Sequence, residues 1–318
     1  TMIPFTSTQL TGVVNKRRPV RTPILDAHFT ARRQVGTPQI QLDVLRDVEG
    51  LAIDISHGVK STRAKNVGWD TKTFTIPRFS EHDILTANDV LGLRAPGQVN
   101  RSEALMGLYN RKLDAIRRRF DRTTEYMAVR AMQGEVVDGG GNVIATYEME
   151  PKVTIKFSDS TDDPVDVFDD AAVAISRKLG GEPGNLIAYC GINAYKKLRN
   201  HDKVQQLLTG PQGPQMIESG EVRRISGITI RRMPNVFADL NGIDQPFVDD
   251  DTIIIASDDM GGELIYGPCE GSGGRLALVN YLVDTWEEKD PPGTVVRVET
   301  NPLPIVTRPD SVRRFKVT

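Results

Sequence analysis

Between Asn100 and Gly134 the apolar residues Leu105, Tyr109, Leu113, Ile116, Phe120, Met127 and Ala131 recur at steps of three, four or their sum. At 100° per residue they fall within about an 80° sector, so the spacing predicts one long amphipathic helix with a narrow apolar stripe. Asn100 is placed to cap it, and Glu103 stands three residues on in a capping-box arrangement. Arg111, Arg118, Arg119 and Arg122 project from the opposite side, with Asp114, Asp121 and Glu125 beside them. At 1.5 Å per residue the rod is about 50 Å long. A coiled coil would need the pattern over several heptads, whereas this stripe stops at Gly134 before a glycine turn. The expectation is a rod lying along a sheet.

Upstream, the period changes. Val44, Val48, Leu51, Ile53 and Ile55 come close to alternating, and Thr71, Thr73 and Thr75 alternate with Lys72, Phe74 and Ile76. The polar, basic stretch Gly58 to Gly68 lies between them, so residues 46–86 read as a long two-stranded hairpin with a crest of about ten residues. An isolated hairpin is marginal in water and must lean on something else. Residues 1–45 are rich in Thr, Arg and Pro and hold few apolar anchors, chiefly Ile24, Leu25 and Phe29. Such a segment builds no core of its own. It reads either as a partly disordered tail or as an arm that orders on a neighbouring subunit.

Downstream, Asp138-Gly139-Gly140-Gly141-Asn142 sits between two valine-containing strands and reads as a hairpin turn. Asp163-Pro164 opens an amphipathic helix (Phe168, Ala171, Ala172, Ile175, Leu179) that Gly180-Gly181 ends. The buried strand Leu186 to Cys190, a helix from Asn193 to Leu208, a loop from Thr209 to Gly220 and strands to Ile255 complete an α/β module. The remainder is strands interrupted at their edges by proline.

Composition excludes several functions. The 318 residues suit one large domain or two, and a net charge of -2 gives no general pull toward nucleic acid or membrane. Cys190 and Cys269 stand alone, which favours a reducing compartment. No apolar run approaches the ~20 residues of a membrane span. The histidines lack metal-ligand spacing, and Asp249-Asp250-Asp251 reads as a solvated turn. Neither a Walker motif nor a dinucleotide fingerprint is present. The sequence therefore predicts no enzyme, cofactor or metal. The Arg117-Arg118-Arg119 run reads first as one side of solvated ion pairs worth a few tenths of a kcal/mol each, and second as a nucleic-acid contact.

What remains is architecture, and it carries a resemblance. Asp250-Asp251-Thr252-Ile253-Ile254 precedes Gly261-Gly262-Glu263-Leu264-Ile265-Tyr266-Gly267. Trp286 is followed by Asp290-Pro291, and Asn301-Pro302-Leu303-Pro304-Ile305 by Pro309-Asp310. Upstream, Ile187-Ala188-Tyr189 precedes a helix with Ala194, Tyr195 and Leu198. In that order and spacing the chain resembles the lambda-type major capsid (head coat) proteins of tailed bacteriophages, which share the Hong Kong 97 fold. Its connection from Gly141 to Asp163 is shorter than in longer members of that family.

The resemblance implies an α+β fold with an N-terminal arm (1–45) and an extended hairpin, or E-loop (46–86). A peripheral domain (87–163 and 256–318) would carry the spine helix, and an axial domain (164–255) would be inserted in it. It implies subunits that form hexamers and pentamers of an icosahedral head around double-stranded DNA, assembled in the host cytoplasm. Lys60, Arg63, Lys65 and Trp69 of the hairpin, and Pro211, Gln212, Pro214 and Gln215 of the axial loop, would touch neighbours. Ile24, Leu25 and Phe29 would anchor the arm, and Arg111, Arg118, Arg119 and Arg122 would be candidates to face DNA. Implied partners are further copies of the chain, a scaffolding protein, a portal and a decoration protein, with no membrane and no covalent cross-link. The alternatives are a nanocompartment shell of the same fold, or a nucleic-acid-binding protein using the basic side of the rod.

Overall fold

A computed structural model describes residues 6–16, 21–45, 69–86, 89, 101–157, 162–211, 213–218, 221–238, 242–271, 273–290 and 292–318. The chain divides into two units, the first made of Thr1–Ile40, Phe74–Met127 and Glu263–Pro304, the second of Gln41–Thr73, Ala128–Gly262 and Ile305–Thr318.

In the first unit the N-terminal segment forms α1 (Ser7–Lys16) and α2 (Pro23–His28). The long apolar stripe becomes α3 (Arg101–Ala131), one helix of 31 residues. A three-stranded antiparallel sheet runs in the order Leu282–Lys289, Pro292–Thr300, Phe79–Thr86. Tyr109, Leu113, Ile116 and Phe120 of α3 pack with Leu85, Val283, Val296 and Val298 of this sheet, so the rod does lie along strands. Leu10 and Val14, four residues apart on α1, enter the same core. Each such side chain is worth about 1.5–3 kcal/mol when removed from water, enough to hold a short helix that would not form alone.

The hairpin differs from its expected bounds. Gln39–Leu45 pairs with Trp69–Thr75 as a two-stranded ribbon, so its first strand begins earlier than residue 46. Phe79–Thr86 leaves it altogether and pairs with Pro292–Thr300. The strand pattern read at Val48, Leu51, Ile53 and Ile55 lies outside the described residues.

In the second unit a six-stranded mixed sheet runs Arg224–Ile225, Ile228–Arg232, Leu186–Cys190, Thr252–Ser257, Val312–Val317, Val153–Ile155. The two middle strands, LIAYC and TIIIAS, are buried at every residue, which explains their unbroken apolar runs. Helices α4 (Pro164–Leu179), α5 (Ile192–Asn200) and α6 (Asp202–Thr209) supply Phe168, Ile175, Tyr195, Leu198 and Val204 to its core. Asp163 caps α4 by accepting from the Val165 N–H at 2.9 Å, and Gly180 ends it at φ 73°.

Two expectations change here. Val153–Ile155 and Val312–Val317, read from sequence as peripheral, complete the α/β sheet instead. The segment expected to be a loop from Thr209 to Gly220 contains a single-turn helix, α7 (Gly213–Met216), then Ile217–Glu218 paired with Glu221–Val222. Met216 is buried in the core, which pins that turn. Proline and glycine composition had signalled a loop, but tertiary contact overrode it.

Candidate assembly surfaces

Along α3 the residues Arg117, Asp121 and Glu125 follow one another at four-residue steps, and all three are buried. They form a polar seam under the N-terminal segment. Arg117 donates to the Val14 carbonyl and lies over the Tyr281 ring at 5.0 Å from its centroid. Its Nε is 3.8 Å from Asp121 Oδ2, while the Tyr281 hydroxyl donates to Asp121 Oδ1 at 2.5 Å. Burial above all, with Tyr266 and the Asp121 carboxylate adding to it, pushes the Tyr281 hydroxyl far above its ordinary pKa. Glu125 accepts from the Ile24 N–H at 2.8 Å and the Leu25 N–H at 3.0 Å, the opening donors of α2. The sequence reading had set Asp121 and Glu125 among solvated ion pairs beside the outer arginines. The i, i+4 series starts beside the apolar stripe at Arg117 and winds round to the arginine side at Glu125, so the helix pattern gave no sign that a second layer covers this flank.

Burial raises the Glu125 carboxyl to about 7, against the two backbone donors that favour its charged form. Between its ordinary pKa of 4.5 and 7, the folded chain holds a proton that the unfolded chain has lost. The contribution of this group is therefore complete below 4.5 and fades as pH rises through 7, on the order of 3 kcal/mol in all. The urea midpoint of the wild type should rise between pH 8 and pH 5.5 relative to that of Glu125→Gln. Parallel profiles would show that Glu125 does not titrate there.

The residues singled out from sequence are scattered. Ile24, Leu25 and Phe29 are buried within this subunit, so the arm's anchors find their cover on their own chain, contrary to the expectation that they order on a neighbour. Asn15 and Thr11 of α1 also bond Tyr281 and Val283, a further reason that this segment folds back. Lys60, Arg63 and Lys65 lie outside the described residues, and Trp69 begins the second strand of the ribbon. Pro211 is exposed, Gln212 lies outside the described residues, and Pro214 and Gln215 belong to α7. Arg111, Arg118, Arg119 and Arg122 are all exposed, and Arg119 pairs with Glu81 at 2.9 Å.

The acidic run is a scaffold for turns. Ala194 N–H donates to the Asp250 carbonyl, and Lys152 and Lys197 reach Asp249 and Asp251 at 3.8 and 3.3 Å. Apolar surface remains exposed on the ribbon Cys269–Gly271/Arg275–Ala277, where Leu276 is 66% exposed and Leu278, just beyond it, 52%. Sequence reasoning passed over these two leucines, because a pair of apolar residues in a strand-rich region gives no sign of facing outward.

The model of the phage major capsid protein E family matches residues 6–317. The chain belongs to that family. Among curated capsid proteins of phages it is 27% identical over 154 residues to the major capsid protein of Salmonella phage Felix O1, covering 45% of this chain and 41% of that one. It is 24% identical over 177 residues to the major capsid protein of Pseudomonas phage KPP10, covering 52% and 50%. The chain thus spans about half the length, or less, of these curated relatives in the matched region. A crystal structure described as a prophage capsid protein from E. coli CFT073 superposes with a TM-score of 0.65 at 14% identity, covering 99% of both chains. The mature capsid of bacteriophage PhiM1 gives 0.52 at 13% identity, covering 91% of this chain and 85% of that one. This capsid protein family member therefore has the α+β Hong Kong 97-type fold shared by phage shells, and the family is one of virion structural proteins.

Proposed function

We propose that many copies of this chain tile a closed icosahedral head as hexamers and pentamers around double-stranded DNA. The family match from residue 6 to 317 is the observation that carries this reading. Two features support it. The ribbon Gln39–Leu45/Trp69–Thr75 has no third strand in its sheet among the described residues, and a lone two-stranded ribbon is marginal in water. Leu276 and Leu278 leave apolar surface exposed on the single subunit. Copies that cover such surfaces gain roughly 25 cal/mol per Å², spread over many weak contacts that allow the lattice to rearrange as it fills.

In this reading residues 46–68, with Lys60, Arg63 and Lys65, reach a neighbour, and Pro211 to Gln215 face the centre of each ring. The chain serves as a structural subunit. A scaffolding protein, a portal and a decoration protein act with it, and assembly takes place in the host cytoplasm before the shell joins the virion.

Negative-stain microscopy with sedimentation tests the reading. The purified wild type should give closed shells, and a chain lacking residues 56–68 should stay folded by circular dichroism but close none. A wild type that sediments as a monomer at high concentration would end the proposal, and normal shells from the deletion would remove the hairpin's role.

A further inference from the structure

The six-stranded sheet of the second unit carries opposite charges toward its two ends. α4 lies over Val312–Val317, next to the Val153–Ile155 edge, and Asp162 ties its entry there by accepting from the Lys156 N–H at 2.7 Å. Its apolar residues Phe168, Ala171 and Ile175 face the sheet. Asp166, Asp169 and Asp170 fall within about 100° of arc on the opposite side. All three are exposed, and none makes an ion pair among the described residues. Val173, 46% exposed, stands among them. The exposed Arg177 and Lys178 lie about 10–12 Å further along the helix, and Lys178 is held by Glu150 at 3.1 Å.

The other end is basic. In Arg224–Ile225 and Ile228–Arg232 the residues Ile225, Ile228 and Ile230 enter the core. Alternation therefore puts Arg224 and Arg231 on the outer face and returns Arg232 to the helix side. Arg232 lies over the Tyr195 ring of α5, 5.8 Å from its centroid, and the Arg199 charge also acts on Tyr195. Glu221 is shared by Arg223 at 3.0 Å and Arg232 at 2.6 Å, while Arg199, Arg224 and Arg231 make no ion pair among the described residues. Arg224–Ile225 is four strand spacings, about 19 Å, from the strand beneath α4. The two patches therefore cannot neutralise each other within one chain.

We infer that Asp166, Asp169 and Asp170 of one copy meet the arginine edge (Arg199, Arg224, Arg231) of the next, so that opposite charge sets the direction of the subunits in each ring. The inference rests on the shell reading above and adds to it which surfaces pair. A second copy is the occupant because each chain supplies both signs; a partner of a single charge would use one patch and leave the other bare. Two unlike patches on one body make a head-to-tail contact, and such contacts repeat until a ring closes. Charges of this kind add little affinity, but they steer the approach and reject the inverted pairing in which like faces like. At physiological salt they are screened beyond about 8 Å, so the discrimination acts at close approach.

The test is charge reversal with complementation, in the full chain. Asp169→Lys with Asp170→Lys makes both patches basic, and Arg199→Glu with Arg224→Glu makes both acidic. Asp166 is kept, because a carboxylate supports the first turn of α4. Each reversed chain alone, read by native mass spectrometry, should need a concentration roughly tenfold or more above wild type to form rings. The two mixed should recover ring formation, as hexamers holding equal numbers of each chain, since alternation closes only in an even-membered ring. Circular dichroism checks that each reversed chain folds. Should one not fold, the milder pair Asp169→Asn, Asp170→Asn takes its place and should flatten the salt dependence of ring formation seen in wild type. The inference falls if the reversed chains form rings as wild type does, if the folded mixture stays unassembled, or if the milder pair keeps the full salt dependence. A wild type that forms no rings sinks the shell reading, and this inference with it, before any variant is compared.

Discussion

Replacing Gly191 with alanine will destabilise the second unit by about 3 kcal/mol or more, at or beyond the upper end of ordinary overpacking. Gly191 is the hinge between the buried strand Leu186–Cys190 and α5. Its N–H donates to the Thr252 carbonyl at 2.9 Å, drawing the turn against the Asp249–Thr252 backbone. A Cβ there would stand 2.2 Å from the Asp249 carbonyl oxygen and 2.5 Å from that of Asp250. Backbone cannot swing aside as a side chain can, so either the α5 turn or the start of Thr252–Ser257 must shift. Gly139→Ala is the matched control, since nothing lies within 4 Å of its added methyl. Urea denaturation should give a midpoint for Gly139→Ala near wild type and a much lower one for Gly191→Ala. Equal midpoints would mean that the close approach at Gly191 is relieved at no cost.

Asp121→Ala should cost about 3–5 kcal/mol, because it strands the buried Arg117 guanidinium and the Tyr281 hydroxyl together. The same principle sets a second outcome. A chain with Arg117→Met and Asp121→Leu removes both charges and keeps volume, so it should recover the part of that loss due to the stranded guanidinium, while the Tyr281 hydroxyl and the Val14 carbonyl stay without their partners. The cycle of Arg117→Met, Asp121→Leu and the two together, read by urea denaturation, separates the pair's mutual term from the loss of each side chain. A cost below 1 kcal/mol for Asp121→Ala would show that water reaches the seam and solvates Arg117. The seam ties α1, α3 and Tyr281 into one polar cluster, so its loss should also expose the Ser7–Lys16 helix to proteolysis before the rest of the unit.

Much of this molecule is legible along the chain, for reasons that particular residues make plain. The helix from 101 to 131 announces itself because its packing partner is a flat sheet, which demands one narrow apolar stripe with a 3.6-residue period. Asp163, Pro164 and Gly180 mark α4 because capping and positive φ are local matters, decided within a few residues. The strand LIAYC reads as buried because both faces of a central strand exclude polar side chains. The capsid resemblance rested on turn and packing motifs of the same local kind.

The misreadings share one cause. Phe79–Thr86 was drawn into the hairpin by its nearness in sequence, yet its hydrogen bonds go to Pro292–Thr300, more than 200 residues away. Val312–Val317 looked peripheral, and joins a sheet whose next strand is Thr252–Ser257. Asp121 and Glu125 looked solvated, because a helix pattern reports one covered face and cannot announce a second. Ile24, Leu25 and Phe29 are buried on their own chain, and an apolar side chain does not say in sequence whose surface it will meet.

Periodicity, caps and turns thus fix which segments become helix or strand, since those choices depend on neighbours within one or two turns of chain. Strand partners and the burial of the Arg117–Asp121–Glu125 seam depend on segments brought together from far apart. A charge is costly or harmless according to what covers it, and only the assembled fold supplies the cover.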